Sequence, residues 1–181
     1  KEGPDVMAIH GAFFVPLAAK GALMDLGPLS ETHSDLKLDD FSSKILDICR
    51  HEGKLYSLPR YTSVYTLFYN KTLFDEAKIA YPGTKGEWTW DAYLKAAKAL
   101  TKDSDGDGKT DQWGCVIDFW GSRIYPWLWA NGGALLNPER TKCILDSPAS
   151  VEALQFVYDL RYKHKVAAAS DNSEQNSALT A

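Results

Sequence analysis

Apolar and polar positions follow two different periods along this chain. Trp90, Tyr93, Leu94, Ala97 and Leu100 recur every three or four residues, while Asp91, Lys95 and Lys98 fall on the opposite side of a 3.6-residue repeat. Thr89 is placed to accept from the first turn and Asp91 to complement the positive helix start, so the pattern predicts a helix over 90–100. A second helix opens at Ser147, with Pro148 at its first position and Glu152, Gln155, Asp159 and Lys163 as a narrow polar stripe. Its other positions include Ala153, Leu154, Phe156, Val157 and Leu160, which predicts that more than half of it is buried. Shorter helices are expected from Phe13 to Lys20, stopped by Gly21, and from Phe41 to Cys49 behind Asp39–Asp40, with Phe41, Ile45, Ile48 and Cys49 on one face.

Strand signals interleave with these. Asp5–Ile9 reads as a short buried strand, Lys54–Leu58 as one stopped by Pro59, and Trp113–Ile117 as a third. Ser63–Tyr69, dense in β-branched and aromatic residues, carries the strongest strand signal of all. Strands alternating with helices imply an α/β domain with a largely parallel sheet. The stretch 167–181, rich in Ala, Ser and Asn, has no amphipathic pattern and is expected to be a loosely held edge or the scar of a truncation.

Composition narrows the classes. The formal charge is −4, apolar residues make up 45% and charged residues 24%, which excludes a disordered chain and, with no Lys/Arg stripe, a nucleic-acid partner. The longest apolar run, Ala12–Ala19, contains Pro16 and is far shorter than the roughly 20 residues that cross a bilayer. The opening at Lys1, with neither an initiator Met nor a signal-like segment, points to a mature secreted chain or an internal fragment. Cys49, Cys115 and Cys143 lack CxxC spacing and read as buried or partly buried free thiols, one bridge with a leftover thiol being the alternative.

Two segments suggest chemistry. In Asp103-Ser104-Asp105-Gly106-Asp107-Gly108-Lys109-Thr110-Asp111, oxygen ligands at positions 1, 3 and 5, Gly at position 6 and Asp at position 9 of a tight loop match the front of a calcium-binding loop, with Lys109 at position 7. Position 12 is Gly114, where a bidentate Glu would be needed. The loop is therefore either a structural Ca2+ site built from Asp103, Asp105, Asp107, Lys109 and Asp111, or a solvated turn. The second segment is Phe119–Trp129. Its aromatic faces suit the apolar C–H faces of sugars, with Trp120 in a strand-to-helix loop where open α/β sheets place ligands, and Trp127 and Trp129 expected in the core. No HExxH, GxSxG, GxxxxGK[ST] or GxGxxG occurs, so catalysis has no carrier, although carboxylates of a glycan-acting hydrolase could escape such a scan.

The order of motifs resembles bacterial extracellular solute-binding proteins of the sugar-transporter type, the maltose-binding-protein-like family. It is carried by Gly3-Pro4-Asp5-Val6, Leu17–Leu26, Gly53–Pro59, Leu67–Phe74, Trp88-Thr89-Trp90-Asp91, the Asp103–Gly114 loop, Asn131-Gly132-Gly133, and Ser147-Pro148 opening a helix with Glu152-Ala153-Leu154. The resemblance implies a type II periplasmic-binding-protein-like α/β fold of two lobes joined by a hinge, here truncated at both ends. Residues 1–62 would be part of lobe one and 63–181 most of lobe two, with the hinge crossing near 60–66. It further implies a monomeric, non-enzymatic protein that captures an oligosaccharide, monosaccharide or polyol for the permease of an ABC importer, in the periplasm or tethered by lipid outside the cytoplasmic membrane. Transferred by position, His10 and Phe13 (with Gly11 and Ala12) would line lobe one, Arg60, Tyr61 and Ser63 the hinge floor, and Trp120 and Arg123 lobe two. Ser63 and Ala12 stand where acidic sugar contacts would be expected, which argues against maltose itself. Apart from the possible structural Ca2+, no cofactor is implied. The rival readings are a glycan-acting hydrolase and a calcium-dependent interaction module.

Overall fold

The computed structural model describes residues 3–33, 35–83, 88–118 and 121–168. The chain divides into two units, Lys1–Val64 and Tyr65–Ala181.

In the first unit, α1 (Gly11–Ala19) ends one residue short of the predicted Lys20, still before Gly21, and starts two residues earlier than predicted. α2 (Gly27–Thr32) opens with Pro28 at its start, and a 3₁₀ turn (Leu38–Asp40) leads into α3 (Ser43–Asp47). β1 (Arg50–His51) and β2 (Lys54–Leu55) pair antiparallel across Glu52-Gly53. Both turn residues have positive φ, 49° and 80°, the backbone of a two-residue hairpin whose twist matches its strands. Leu46, Cys49 and Leu55 form the core here, closed over by Leu26, Leu38 and Phe41, and the Leu26 amide donates to the Leu55 carbonyl at 2.7 Å.

Three expectations fail in this unit. Residues 5–9 form no strand and are largely exposed; the described strands of this unit bond only to each other, and a strand without a neighbour leaves its amides to water. The helix predicted over 41–49 shortens to α3, so Ile48 falls just past its end and is 70% exposed while Leu46 turns inward. The strand predicted over 54–58 keeps only its first two residues.

The second unit begins with α4 (Lys71–Glu76), capped by the Asn70 side chain accepting from the Leu73 amide at 3.4 Å. α5 (Trp90–Leu100) has the predicted limits, and the Thr89 hydroxyl accepts from the Ala92 amide at 3.3 Å. β3 (Cys115–Val116) is followed by a 3₁₀ turn (Gly121–Ile124), α6 (Tyr125–Ala130), α7 (Pro148–Tyr162) and β4 (Ala167–Ala168). The Ser147 hydroxyl accepts from the Ser150 amide, the predicted cap of α7. β3 and β4 pair in parallel, Cys115 opposite Ala167, and α6 and α7 supply the crossover that such a pair requires. Ala97 of α5, Ile117, Val157 and Leu160 of α7, Val166 and Ala167 make one core, with Tyr93, Trp127 and Phe156 packed on it. Phe74, Ala96 and Leu100 make another, under Tyr69, Tyr81 and Trp88. α5 therefore buries two adjacent faces. Gly114 passes so close beneath it that a Cβ there would sit 1.8 Å from the Ala97 carbonyl oxygen.

The segment with the strongest strand signal, 63–69, is not a strand. None of its backbone groups pairs with another described residue, and Val64 and Phe68 are 80% and 81% exposed. Composition gave it β propensity, but propensity is realised only against a neighbouring strand. The described strands accordingly make two separate two-stranded sheets, an antiparallel pair in the first unit and a parallel pair in the second, and the strand predicted over 113–117 is confined to Cys115–Val116. Ala167 and Ala168, expected to be a loose edge, are buried in β4; residues 169–181 lie outside the described residues. Trp127 is core-packed as expected, whereas Trp129 is 61% exposed, because α6 is only six residues long and turns that side outward.

All three cysteines are free: Cys49 is buried, Cys115 half-buried and Cys143 exposed, so only the last departs from the expected burial. Burial pushes the Cys115 thiol up to about 11, partly offset by its hydrogen bond with Tyr93. The same burial, reinforced by the sulfur, holds the Tyr93 phenol well above its ordinary value. The thiol itself donates to the Val166 carbonyl at 3.5 Å.

Two outcomes follow. Leu160→Ala, at a fully buried position, should lower stability by about 3 kcal/mol in urea titration, while Ile48→Ala should change it by less than about 0.5 kcal/mol. The folded Cys115 thiol holds its proton more tightly than an unfolded one. Its contribution is therefore fully present below about pH 9 and is lost as pH rises through about 11. Melting curves across that window should fall more steeply for the native chain than for Cys115→Ser; equal slopes would contradict this.

Candidate ligand-binding site

The residues expected to contact ligand are divided between the units. In the first unit, the His10 carbonyl accepts from the Phe13 amide at 2.9 Å as α1 begins. This brings the two rings edge to face, centroids 6.3 Å apart, with Phe13 66% exposed. An exposed aromatic ring at a helix start is a platform for an apolar ligand face. Further along, the Arg60 guanidinium lies 5.4 Å from the centre of the Tyr61 ring, a cation–π pair in the segment that leads to the unit boundary. Arg60, Tyr61 and Ser63 are all exposed and belong to no helix or strand. Backbone without ladder bonds leaves these side chains open to solvent, where they can meet a solute.

In the second unit, Arg123 sits in the 3₁₀ turn that runs into α6, and its guanidinium donates to the Asp118 carboxylate. Asp118 is the more buried partner of this ion pair. Both line a cavity of about 640 Å³ with the segment Thr66–Asn70, Leu73 and Phe74 of α4, the inner face of α5 and β3. The lining is mostly apolar, and Arg123 and Asp118 are its charged members. Trp120 lies outside the described residues, as does the side chain of Ala12. Asp118 is not among the ligand contacts predicted from the sequence, and neither are Tyr65 and Ser122, the hydroxyls of which meet at 2.5 Å. Spacing five residues apart could have flagged Asp118 with Arg123; nothing in the sequence links positions 65 and 122.

The Asp103 loop folds around its own amides. The Asp103 carboxylate accepts from the amides of Gly106 at 2.7 Å and Gly108 at 2.9 Å, and Asp111 accepts from Ser104 at 2.6 Å. Asp105 accepts from the Asp107 amide at 3.0 Å and Asp107 from that of Lys109 at 2.8 Å. A bridge between Lys102 and Gln112 closes the base of the loop. One oxygen each of Asp103, Asp105 and Asp111 lie within 4.8 Å of one another. Asp107 instead faces the Lys109 ammonium at 3.2 Å. Three converging carboxylates repel one another, and the turning amides offset that only partly.

Among the described residues no helix is long and apolar enough to cross a membrane. Compared with known proteins, the chain is 26% identical over 135 residues to the arabinooligosaccharide-binding protein of Halalkalibacterium halodurans, covering 75% of this chain and 28% of that protein. A substrate-binding protein of an ABC transporter from Listeria monocytogenes, solved with cycloalternan, superposes with a TM-score of 0.71 at 28% identity, over 86% of this chain and 38% of that one. A solute-binding protein from Thermotoga lettingae, solved with α-D-tagatose, superposes with a TM-score of 0.70 at 23% identity, over 90% and 40% of the two chains, and speaks to the fold alone. The chain thus spans well under half the length of these relatives. Its architecture is part of a type II periplasmic-binding-protein-like fold. Residues 1–181 match throughout, and the chain belongs to the family of bacterial extracellular solute-binding proteins.

Proposed function

We propose that this chain captures a carbohydrate or polyol outside the cytoplasmic membrane and delivers it unchanged to the permease of an ABC importer. The observation that carries this reading is the family match along the whole chain, together with relatives whose names specify saccharide ligands. The family is one of binding proteins, in keeping with a sequence that holds no catalytic motif. On this reading residues 1–62 contribute one lobe and 63–181 the other, with the crossing near 60–66, a stretch that contains the division between Val64 and Tyr65. His10, Phe13, Arg60, Tyr61 and Ser63 serve from the first unit, and Trp120 and Arg123 from the second. A ligand that touches both lobes only when they close binds the closed form better and draws the hinge equilibrium toward it. Aromatic rings take the C–H faces of the sugar, and Arg123 supplies charge-assisted hydrogen bonds to its hydroxyls. Micromolar capture corresponds to about −8 kcal/mol, within the reach of a few such contacts. The protein works as a monomer in the periplasm or on a lipid tether.

The convergence of Asp103, Asp105 and Asp111 favours a second, compatible reading in which the loop holds a structural Ca2+. A hard cation would cancel the mutual repulsion of the carboxylates, and the Lys109 carbonyl would add an oxygen. Asp107 would have to leave its lysine partner to join them.

On the intact gene product, a thermal-shift and Trp-fluorescence screen with arabinooligosaccharides, cycloalternan, tagatose and ribitol should reveal at least one ligand that raises the melting temperature. At a ligand concentration of 100 Kd the added stability is about 2.7 kcal/mol. Arg123→Ala should weaken that ligand by about tenfold or more. A panel broadened to other sugars and polyols that moves neither signal would overturn the capture reading. For the loop, 1 mM CaCl2 should raise the melting temperature of the native chain and leave Asp103→Ala unmoved. Identical melting in calcium and in chelator would reduce the loop to a turn.

A further inference from the structure

Tyr65 is the first residue of the second unit, and its hydroxyl lies 2.5 Å from the Ser122 hydroxyl, fifty-seven positions further along. That is the short end of the range for an O–H···O bond. Ser122 and Arg123 are consecutive members of the 3₁₀ turn Gly121–Ile124. The turn runs straight into α6, whose start has no side-chain cap. Two side-chain bonds therefore tie down this turn from outside, Tyr65 to Ser122 and Asp118 to Arg123.

The proton count of the pair gives it a chemical preference. Two hydroxyls carry two protons, and their mutual bond uses one. A phenol is the stronger acid, so Tyr65 donates and Ser122 keeps its proton for a third group. Accepting from Tyr65 also polarises the Ser122 hydroxyl and makes it a better donor. The next residue of the same turn, Arg123, carries its guanidinium on the Asp118 carboxylate. A hydroxyl group both donates and accepts, so the hydroxyls of a sugar or polyol suit a turn that offers a hydroxyl donor at Ser122 and a guanidinium at Arg123, and Tyr65 is itself 55% exposed.

We propose that Tyr65 is a positioning residue: through Ser122 it fixes the Arg123 turn and orients one hydroxyl proton toward vicinal hydroxyls of the ligand. This rests on the capture reading above. The test measures affinity by calorimetry for the tightest-binding member of the panel named there, with melting temperatures alongside. Tyr65→Phe and Ser122→Ala should each weaken binding about five- to tenfold, with melting temperatures within about 1 °C of the native chain. The double variant should be no weaker than the worse single one, because the two groups act as one. Ser122→Thr, which keeps the hydroxyl, should bind within about twofold of the native chain. Arg123→Ala should cost less in the Tyr65→Phe background than in the native one.

A Tyr65→Phe chain that binds within twofold of native overturns the role, and so does a double variant whose loss is the product of the two single losses. Weakened binding accompanied by a melting temperature several degrees lower, with Ser122→Thr equally weak, marks a hydroxyl needed only for folding and also overturns it. A native chain that binds no member of the panel overturns the capture reading and this role together, which separates that failure from the others.

Discussion

The second unit depends on burying one face of α7 against α5 and the β3–β4 pair. Val157 and Leu160 are wholly withdrawn from water, and Ala97, Ile117, Val166 and Ala167 close around them. Each fully buried side chain of this size contributes on the order of 1.5–3 kcal/mol. That layer fixes where β3 ends, and hence where Asp118 and the Arg123 turn emerge. Ser150, the one fully buried polar side chain among the described residues, is accommodated because its hydroxyl bonds both the Ala134 amide and the Ala134 carbonyl. The chain thus orders its helices by apolar contact and leaves its polar chemistry to the connections between them.

This division of labour suits a receptor for small polar solutes. Rings and charged groups stand on turns and unpaired segments, while the helices carry packing. The first unit presents Phe13 and Tyr61, and the second Arg123 with its carboxylate anchor. A guanidinium held by a carboxylate loses little conformational freedom when a ligand arrives, and that preorganisation favours binding.

How much of this could be read from the sequence depended on where the information lay. α5 and α7 were legible to the residue at their starts, because Thr89 and Ser147 act through amides three positions away and the apolar period is local. The order of motifs was enough to place the chain in its family. Strands were misread for the opposite reason. Residues 63–69 have the side chains of a strand, but a ladder is a property of two segments, and composition speaks for only one. Ile48 shares an apolar face with Phe41, Ile45 and Cys49 in the sequence pattern, but α3 ends at Asp47 and does not carry it. The Asp118–Arg123 pair is local and legible in spacing, whereas the Tyr65–Ser122 contact joins residues 57 positions apart and leaves no trace in spacing.

The bare backbone of 63–69 has a consequence for handling the chain. A protease cleaves polypeptide that it can draw into its active site as an open stretch, and Ser63–Phe68, whose backbone groups pair with no other described residue, offers exposed aromatic and aliphatic side chains. Limited digestion with a chymotrypsin-like enzyme would cut there before it reached the helices, separating the chain near the border of its two units.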